Sequence, residues 1–158
     1  MYTHILFDMD DTILDFQKAQ LASFKYVLEK YGTQFSEDIY LCYEDINHFL
    51  WSKFDEGAIS KDVVQNERFA RFFDAIGKHV DGKQVNSLYQ ESLSSQTWLI
   101  PHAKEVCFEL SKHHTLSIVT NGVGITQKKR FLASEISPYF SHILISEDIG
   151  VAKPNKQF

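Results

Sequence analysis

Ile5-Leu6-Phe7-Asp8-Met9-Asp10-Asp11-Thr12 is an apolar run that breaks into three carboxylates within four residues. Ile5 to Phe7 has no polar alternation, the pattern of a strand buried on both faces of a parallel sheet. Ligand sites of open α/β sheets lie at the carboxyl ends of strands. Crowding acids at such an end is electrostatically costly unless a cation or a phosphate-handling task compensates them. A strand followed by acidic helix caps would account for one aspartate, but poorly for three.

Outward from that stretch, helical periodicity takes over. Leu21, Phe24, Val27, Leu28 and Tyr31 share one helix face, and Gly32 stops it. Ser36-Glu37-Asp38 opens a second helix with Ile39, Tyr43, Ile46, Leu50 and Phe54, ending near Gly57. Ser60 caps a third, with Val63, Val64, Phe69, Phe72, Phe73 and Ile76 inward and Gly77 after it. Asp81 to Leu93 makes a fourth around Val85, Leu88 and Tyr89. Four helices on short loops predict a compact bundle over residues 16–97. Trp51, Phe54, Phe69, Phe72 and Phe73 are assigned to its core rather than to a base-stacking platform.

From residue 98 the pattern changes. Pro101 precedes a helix over Ala103 to His113, with His113-His114 at the end where a helix dipole favours cations. Leu116-Ser117-Ile118-Val119 is a strand running into Thr120-Asn121-Gly122. Thr126 to Ala133 is helical, Ser137-Pro138 breaks it, and Ile143-Leu144-Ile145 is a third strand. This is the βαβ rhythm of a doubly wound parallel sheet to which Ile5–Phe7 also belongs. The predicted class is therefore α/β, a Rossmann-like core of residues 1–15 and 98–158. The bundle of 16–97 is inserted over the carboxyl ends of its strands.

Composition narrows the function. The net charge of −5 without a basic run argues against a nucleic-acid polymer as partner. No apolar run approaches a membrane span and no signal peptide is evident, so a soluble, cytoplasmic protein is expected. Cys42 and Cys107 are unlike and distant, and are expected to be buried fillers in a reducing compartment.

Three strand ends carry distinctive groups: Asp8 and Asp10, Thr120-Asn121, and Lys153 in Ala152-Lys153-Pro154. Together they can perform phosphoryl transfer. One carboxylate serves as nucleophile and the other as general acid/base, a hydroxyl and amides hold phosphate oxygens, and a cation offsets charge.

In these residues the sequence resembles the haloacid dehalogenase-like phosphatase superfamily. Asp8-Met9-Asp10-Asp11-Thr12 matches its first motif, Thr120 its second, Lys153 its third, and the four-helix insert looks like its helical cap. More narrowly, Leu50-Trp51 with Gly57-Ala58-Ile59, Asn66-Glu67-Arg68-Phe69, and the run Ser146–Lys156 look like the branch of pyrimidine 5′-nucleotidases acting on noncanonical nucleotides. The resemblance implies an aspartyl-phosphate on Asp8, with Asp10 protonating the leaving alkoxide and then activating water. It implies phosphate held by Thr120, Asn121 and Lys153, and Mg2+ held by the Asp8 carboxylate and the Asp10 carbonyl. Asp10 further implies a phosphatase or sugar-phosphate mutase, because dehalogenases as a family do not keep an acid there.

The implied substrate is a small phosphorylated metabolite, first of all a nucleoside 5′-monophosphate. A sugar phosphate, a mutase, or an inactive phosphate-binding fragment are the alternatives. Asn47, Trp51 and Arg68 are placed toward the leaving group from their position in the insert. The family pattern continues past Lys153 to a paired acidic motif that completes the metal site. A sequence stopping at Phe158 is expected to lack that ligand and the last strands, and to self-associate along an open first strand. Glu147 and Asp148 are assigned structural work rather than the missing ligand's.

Overall fold

The structure, a computed structural model, describes residues 2–158. Three parallel strands form the sheet: β1 (His4–Phe7), β2 (Thr115–Thr120) and β3 (His142–Ile145), in spatial order β1-β2-β3. The register sets Ile5 beside Leu116, Phe7 beside Ile118, and Ile118 beside Ile143. The helices are α1 (Phe16–Lys30), α2 (Glu37–Asp55), α3 (Lys61–Ala75), α4 (Gly82–Ser94), α5 (Ala103–Ser111), α6 (Gly124–Ala133) and the short α7 (Ser146–Ile149). This is the α/β class expected, with four helices inserted after the first strand.

Contacts divide the chain into a sheet-bearing unit, residues 1–20 and 93–158, and a helical unit, residues 21–92. The first turn of α1 and the end of α4 therefore group with the sheet.

In the sheet-bearing unit, Leu116 and Ile118 of β2 are fully buried with Met9, Ile13, Leu14, Phe131 and Ile136. Only the central strand meets the expectation of burial on both faces. β1 alternates between exposed and half-buried residues, and Leu6 is 60% exposed. β1 pairs with β2 alone among the described residues, so Ile5 and Phe7 reach the core and Leu6 does not.

The helical unit follows its local signals. Ser36 Oγ accepts from Ile39 N–H and Ser60 Oγ from Val63 N–H, capping α2 and α3. Asp81 Oδ1 accepts from the amides of Lys83 and Gln84 at the start of α4. Gly57 ends α2 at φ 74°, letting Ala58 N–H return to Lys53 O at 2.9 Å. Inside, Phe24 stacks on Tyr43 with ring centroids 4.5 Å apart, and Phe69, Phe72, Phe73 and Tyr89 complete a fully buried aromatic core. Trp51 and Phe54 are only half-buried, edge to face at 5.5 Å.

Two further expectations are corrected. α5 stops at Ser111, and His114 Nδ1–H donates to Tyr2 O at 2.9 Å, tying down the strand edge instead of capping the helix. Ser146–Ile149 after β3 is a helical turn. Cys107 is a buried filler, but Cys42 is only half-buried.

Candidate active site

Met9 anchors the loop that follows β1. Its side chain is fully buried, and its carbonyl accepts from Ile13 N–H at 3.0 Å and Leu14 N–H at 2.9 Å. The two aspartates beside it take different environments. Asp8 is exposed, its side chain 48% accessible, and Oδ1 accepts from Lys153 Nζ at 2.7 Å. Asp10 Oδ1 accepts from Arg130 Nη1 at 2.6 Å, and its Oδ2 from Gln127 Nε2 at 2.6 Å. The third acid, Asp11, is a helix cap. At φ 54° its Oδ1 accepts from the amides of Phe16 (2.9 Å) and Gln17 (3.2 Å) at the start of α1.

Burial pushes the Asp10 carboxyl above the usual carboxylate range. Arg130 and the Gln127 amide pull it back, and the nearby charge of Asp8 adds to the rise. One acid is thus open to an electrophile and paired with a cation, while the other is half-buried, with its carboxyl shifted upward.

Thr120 and Asn121 close β2. Thr120 Oγ1 accepts from Gly122 N–H at 3.1 Å and from Gln127 Nε2 at 2.9 Å. The Asn121 side chain turns to Lys153. Its Nδ2 donates to Lys153 O and its Oδ1 accepts from Lys153 N–H, both at 2.9 Å. That reciprocal pair pins the Lys153 backbone to the end of β2. The ammonium then reaches both Asp8 and the Val119 carbonyl, the latter at 3.1 Å.

Glu147 accepts from Gly124 N–H at 2.9 Å, supplying the acid that the first turn of α6 lacks. Asn47 and Arg68 belong to the interior of the helical unit. Arg68 is 3% exposed; Nε and Nη2 donate to Asn86 Oδ1 at 3.2 and 2.5 Å, and Nη1 to Asn47 Oδ1 at 3.4 Å. Asn47 is 6% exposed. Their placement toward a leaving group came from chain position; the structure shows both side chains buried and bonded to each other. Trp51 stays half-buried beside Phe54.

Gln127 and Arg130 were missed by sequence reasoning. A helix in this position is expected to bury its apolar face. Here Ile125 and Leu132 are 67% and 64% exposed, while Thr126, Gln127 and Arg130 are buried. The signal was present as a polar set at helical spacing, with Ile125 and Leu132 on the wrong side for packing and Phe131 alone of the large apolar residues in the core.

A divalent cation can be tested against the donors present. No group of three or more His, Cys, Asp or Glu side chains is placed to hold a metal among the described residues. Two hard oxygens are nevertheless unengaged among those residues: Asp8 Oδ2 and the Asp10 carbonyl. Mg2+ commonly takes only one or two protein oxygens and completes its shell with water and phosphate. The donor set fits that ion.

The family model described as haloacid dehalogenase-like hydrolase matches residues 5–158. HAD-hydrolase YfnB of Bacillus subtilis is 38% identical over 157 residues, covering 99% of this chain and 67% of the relative. A magnesium-bound crystal structure of YfnB superposes with a TM-score of 0.93, over 99% of this chain and 68% of that one. Pyrimidine 5′-nucleotidase PynA of Streptococcus pneumoniae is 31% identical, covering 99% and 67%. Pyrimidine 5′-nucleotidase YjjG of Escherichia coli is 26% identical, covering 97% and 66%. The chain spans about two thirds of the length of these relatives.

Proposed function

Because the chain belongs to the haloacid dehalogenase-like hydrolase family, we propose that it carries the nucleophile and general acid of a Mg2+-dependent phosphatase of small phosphate monoesters, with nucleoside 5′-monophosphates as the preferred class. One observation carries the reading. Asp8, open and paired with Lys153, lies two residues from Asp10, whose half-buried carboxyl is held by Arg130 and Gln127 and shifted upward. Two carboxyls in such different surroundings divide naturally into nucleophile and acid.

Asp8 Oδ attacks phosphorus and forms an aspartyl-phosphate, while Lys153 offsets the charge as two anions approach. Asp10 gives its proton to the leaving oxygen, then takes one from the water that hydrolyses the acyl phosphate. Thr120 and Lys153 hold phosphate oxygens, with the Asn121 side chain fixing Lys153 rather than touching phosphate. Asp8 and the Asp10 carbonyl would hold Mg2+, which when bound supplies positive charge to the transferring phosphoryl group. The named activities of PynA and YjjG support a nucleotide as the ester.

The test is a panel of nucleoside monophosphates and sugar phosphates assayed with and without Mg2+. Turnover of pyrimidine nucleotides that is abolished by Asp8→Asn supports the reading. Turnover confined to sugar phosphates would keep the chemistry and overturn the nucleotide class. No turnover of any ester would overturn the phosphatase itself.

A further inference from the structure

Gln127 and Arg130 stand one turn apart on the buried face of α6, and the reaction derived above uses neither. Arg130 is fully buried. Its Nη1 donates to Asp10 Oδ1 (2.6 Å) and Gln127 Oε1 (3.0 Å), and its Nε to Gln96 O (3.0 Å). Gln127 Nε2 donates to both Asp10 Oδ2 and Thr120 Oγ1. The amide orientation is forced, because Arg130 can only donate and a flipped amide would set its oxygen against a carboxyl oxygen. Gly122 makes room for this arrangement: a Cβ there would overlap the Gln127 side chain.

Two consequences follow from donor and acceptor capacity. Both Asp10 oxygens are anchored, so its carboxyl plane is set by two donors from one helix. The Thr120 hydroxyl accepts from Gly122 and Gln127 together, which fills its two acceptor positions and leaves its O–H to donate. Packing alone does not account for Arg130. An apolar side chain of similar volume would fill the space without burying a charge, whereas Arg130 Nη2 has no hydrogen-bond partner among the described residues.

We propose that Arg130 and Gln127 are positioning residues: together they aim the Asp10 carboxyl at the leaving oxygen of the ester, and Gln127 turns Thr120 into a donor toward a phosphate oxygen. The inference rests on the phosphatase reading above. In the step concerned, an Asp8 oxygen bonds to phosphorus and the P–O bond to the alcohol breaks. Its electron pair stays on the departing oxygen, which takes the Asp10 proton and leaves as neutral alcohol. Each Asp10 oxygen accepts one anchoring donor and keeps a second lone-pair position, so the proton is carried with both anchors in place.

Leaving-group dependence separates positioning from structural support. An alkyl phosphate, including a nucleoside 5′-monophosphate, needs the proton; p-nitrophenyl phosphate expels a stable phenolate without it. Arg130→Met and Gln127→Met are expected to lose about 100-fold or more in kcat on the alkyl ester, the scale of a general acid, but less than about tenfold on the aryl ester. KM should stay within about threefold, and Arg130→Lys should restore at least about tenfold of the alkyl rate. Thermal melts confirm folding, and the lysine and glutamine variants carry the test if Arg130→Met does not fold. Equal losses on both esters, or a raised KM with unchanged kcat, would overturn the proposal. If the unsubstituted protein turns over neither ester, the phosphatase reading fails and orthophosphate binding by calorimetry decides the positioning role. A tenfold or greater weakening by Gln127→Met supports it; unchanged affinity, or no binding by the unsubstituted protein, overturns it.

Discussion

Neighbouring carboxylates in one loop have separate jobs because each meets different donors. Asp11 satisfies helix amides, Asp8 faces Lys153, and Asp10 is enclosed by Arg130 and Gln127. Asp8→Asn keeps the shape but removes the nucleophile, so turnover should fall at least about 1,000-fold with the melting temperature little changed. Steady-state kinetics beside a thermal melt checks both halves. The cysteines permit a test by pH. Burial raises the Cys107 thiol from 9.0 to about 11, whereas Cys42 is half-buried. At pH 8 a thiol reagent should titrate Cys42 in the native protein and both residues only in denaturant. A folded pKa above the unfolded one means the fold holds this proton more tightly. That stability is complete below about pH 9 and is lost as pH rises through about 11, a fall of about 3 kcal/mol that Cys107→Ala should flatten in urea titrations.

Elements here form where capping and periodicity agree. α2 and α3 begin at their serines, and the glycines after them sit at positive φ. Their packing then depends on two unlike contacts. The aromatic cluster is dry and tight, so Phe72→Ala, which empties a site between Phe24, Tyr43 and Phe73, should cost about 3–5 kcal/mol in urea unfolding. The Arg68 guanidinium is instead carried by amide oxygens. Asn86→Ala leaves Nε and Nη2 without that acceptor and should destabilise by about 1–3 kcal/mol, an effect that the isosteric Asn86→Asp, which retains an acceptor, should largely avoid. α6 differs in kind. Its buried face is mostly polar because Gln127 and Arg130 meet Asp10 and Thr120, and only Phe131 of its large apolar residues packs into the core.

For the whole molecule, the sheet leaves β1 with one paired neighbour among the described residues and Leu6 largely exposed. An apolar edge of this kind is a template for another strand. A polypeptide of these 158 residues should show concentration-dependent association in light scattering, reduced by Leu6→Lys; a monomer at every concentration would contradict this account of the edge. No helix among the described residues is long and apolar enough to cross a membrane. Much of the architecture was legible without coordinates, because it rests on short-range chemistry. Ser36, Ser60, Gly57 and Gly77 punctuate helices through their own backbone bonds, and the apolar runs at 5–7, 116–119 and 143–145 mark the three strands of the sheet. The pairing of acid runs with strand ends was likewise visible along the chain. What the residues do to one another was not. Arg130 reaches Asp10 across 120 positions and Lys153 reaches Asp8 across 145, and no local pattern encodes such meetings. Strand order decided that Leu6 would be exposed, burial decided that Arg68 and Asn47 serve the interior, and the fold alone chose which of three aspartates would be a helix cap. Local sequence determines which hydrogen bonds and turns a segment can make by itself; only tertiary structure sets the solvent and the charges each carboxyl meets, and those govern its chemistry.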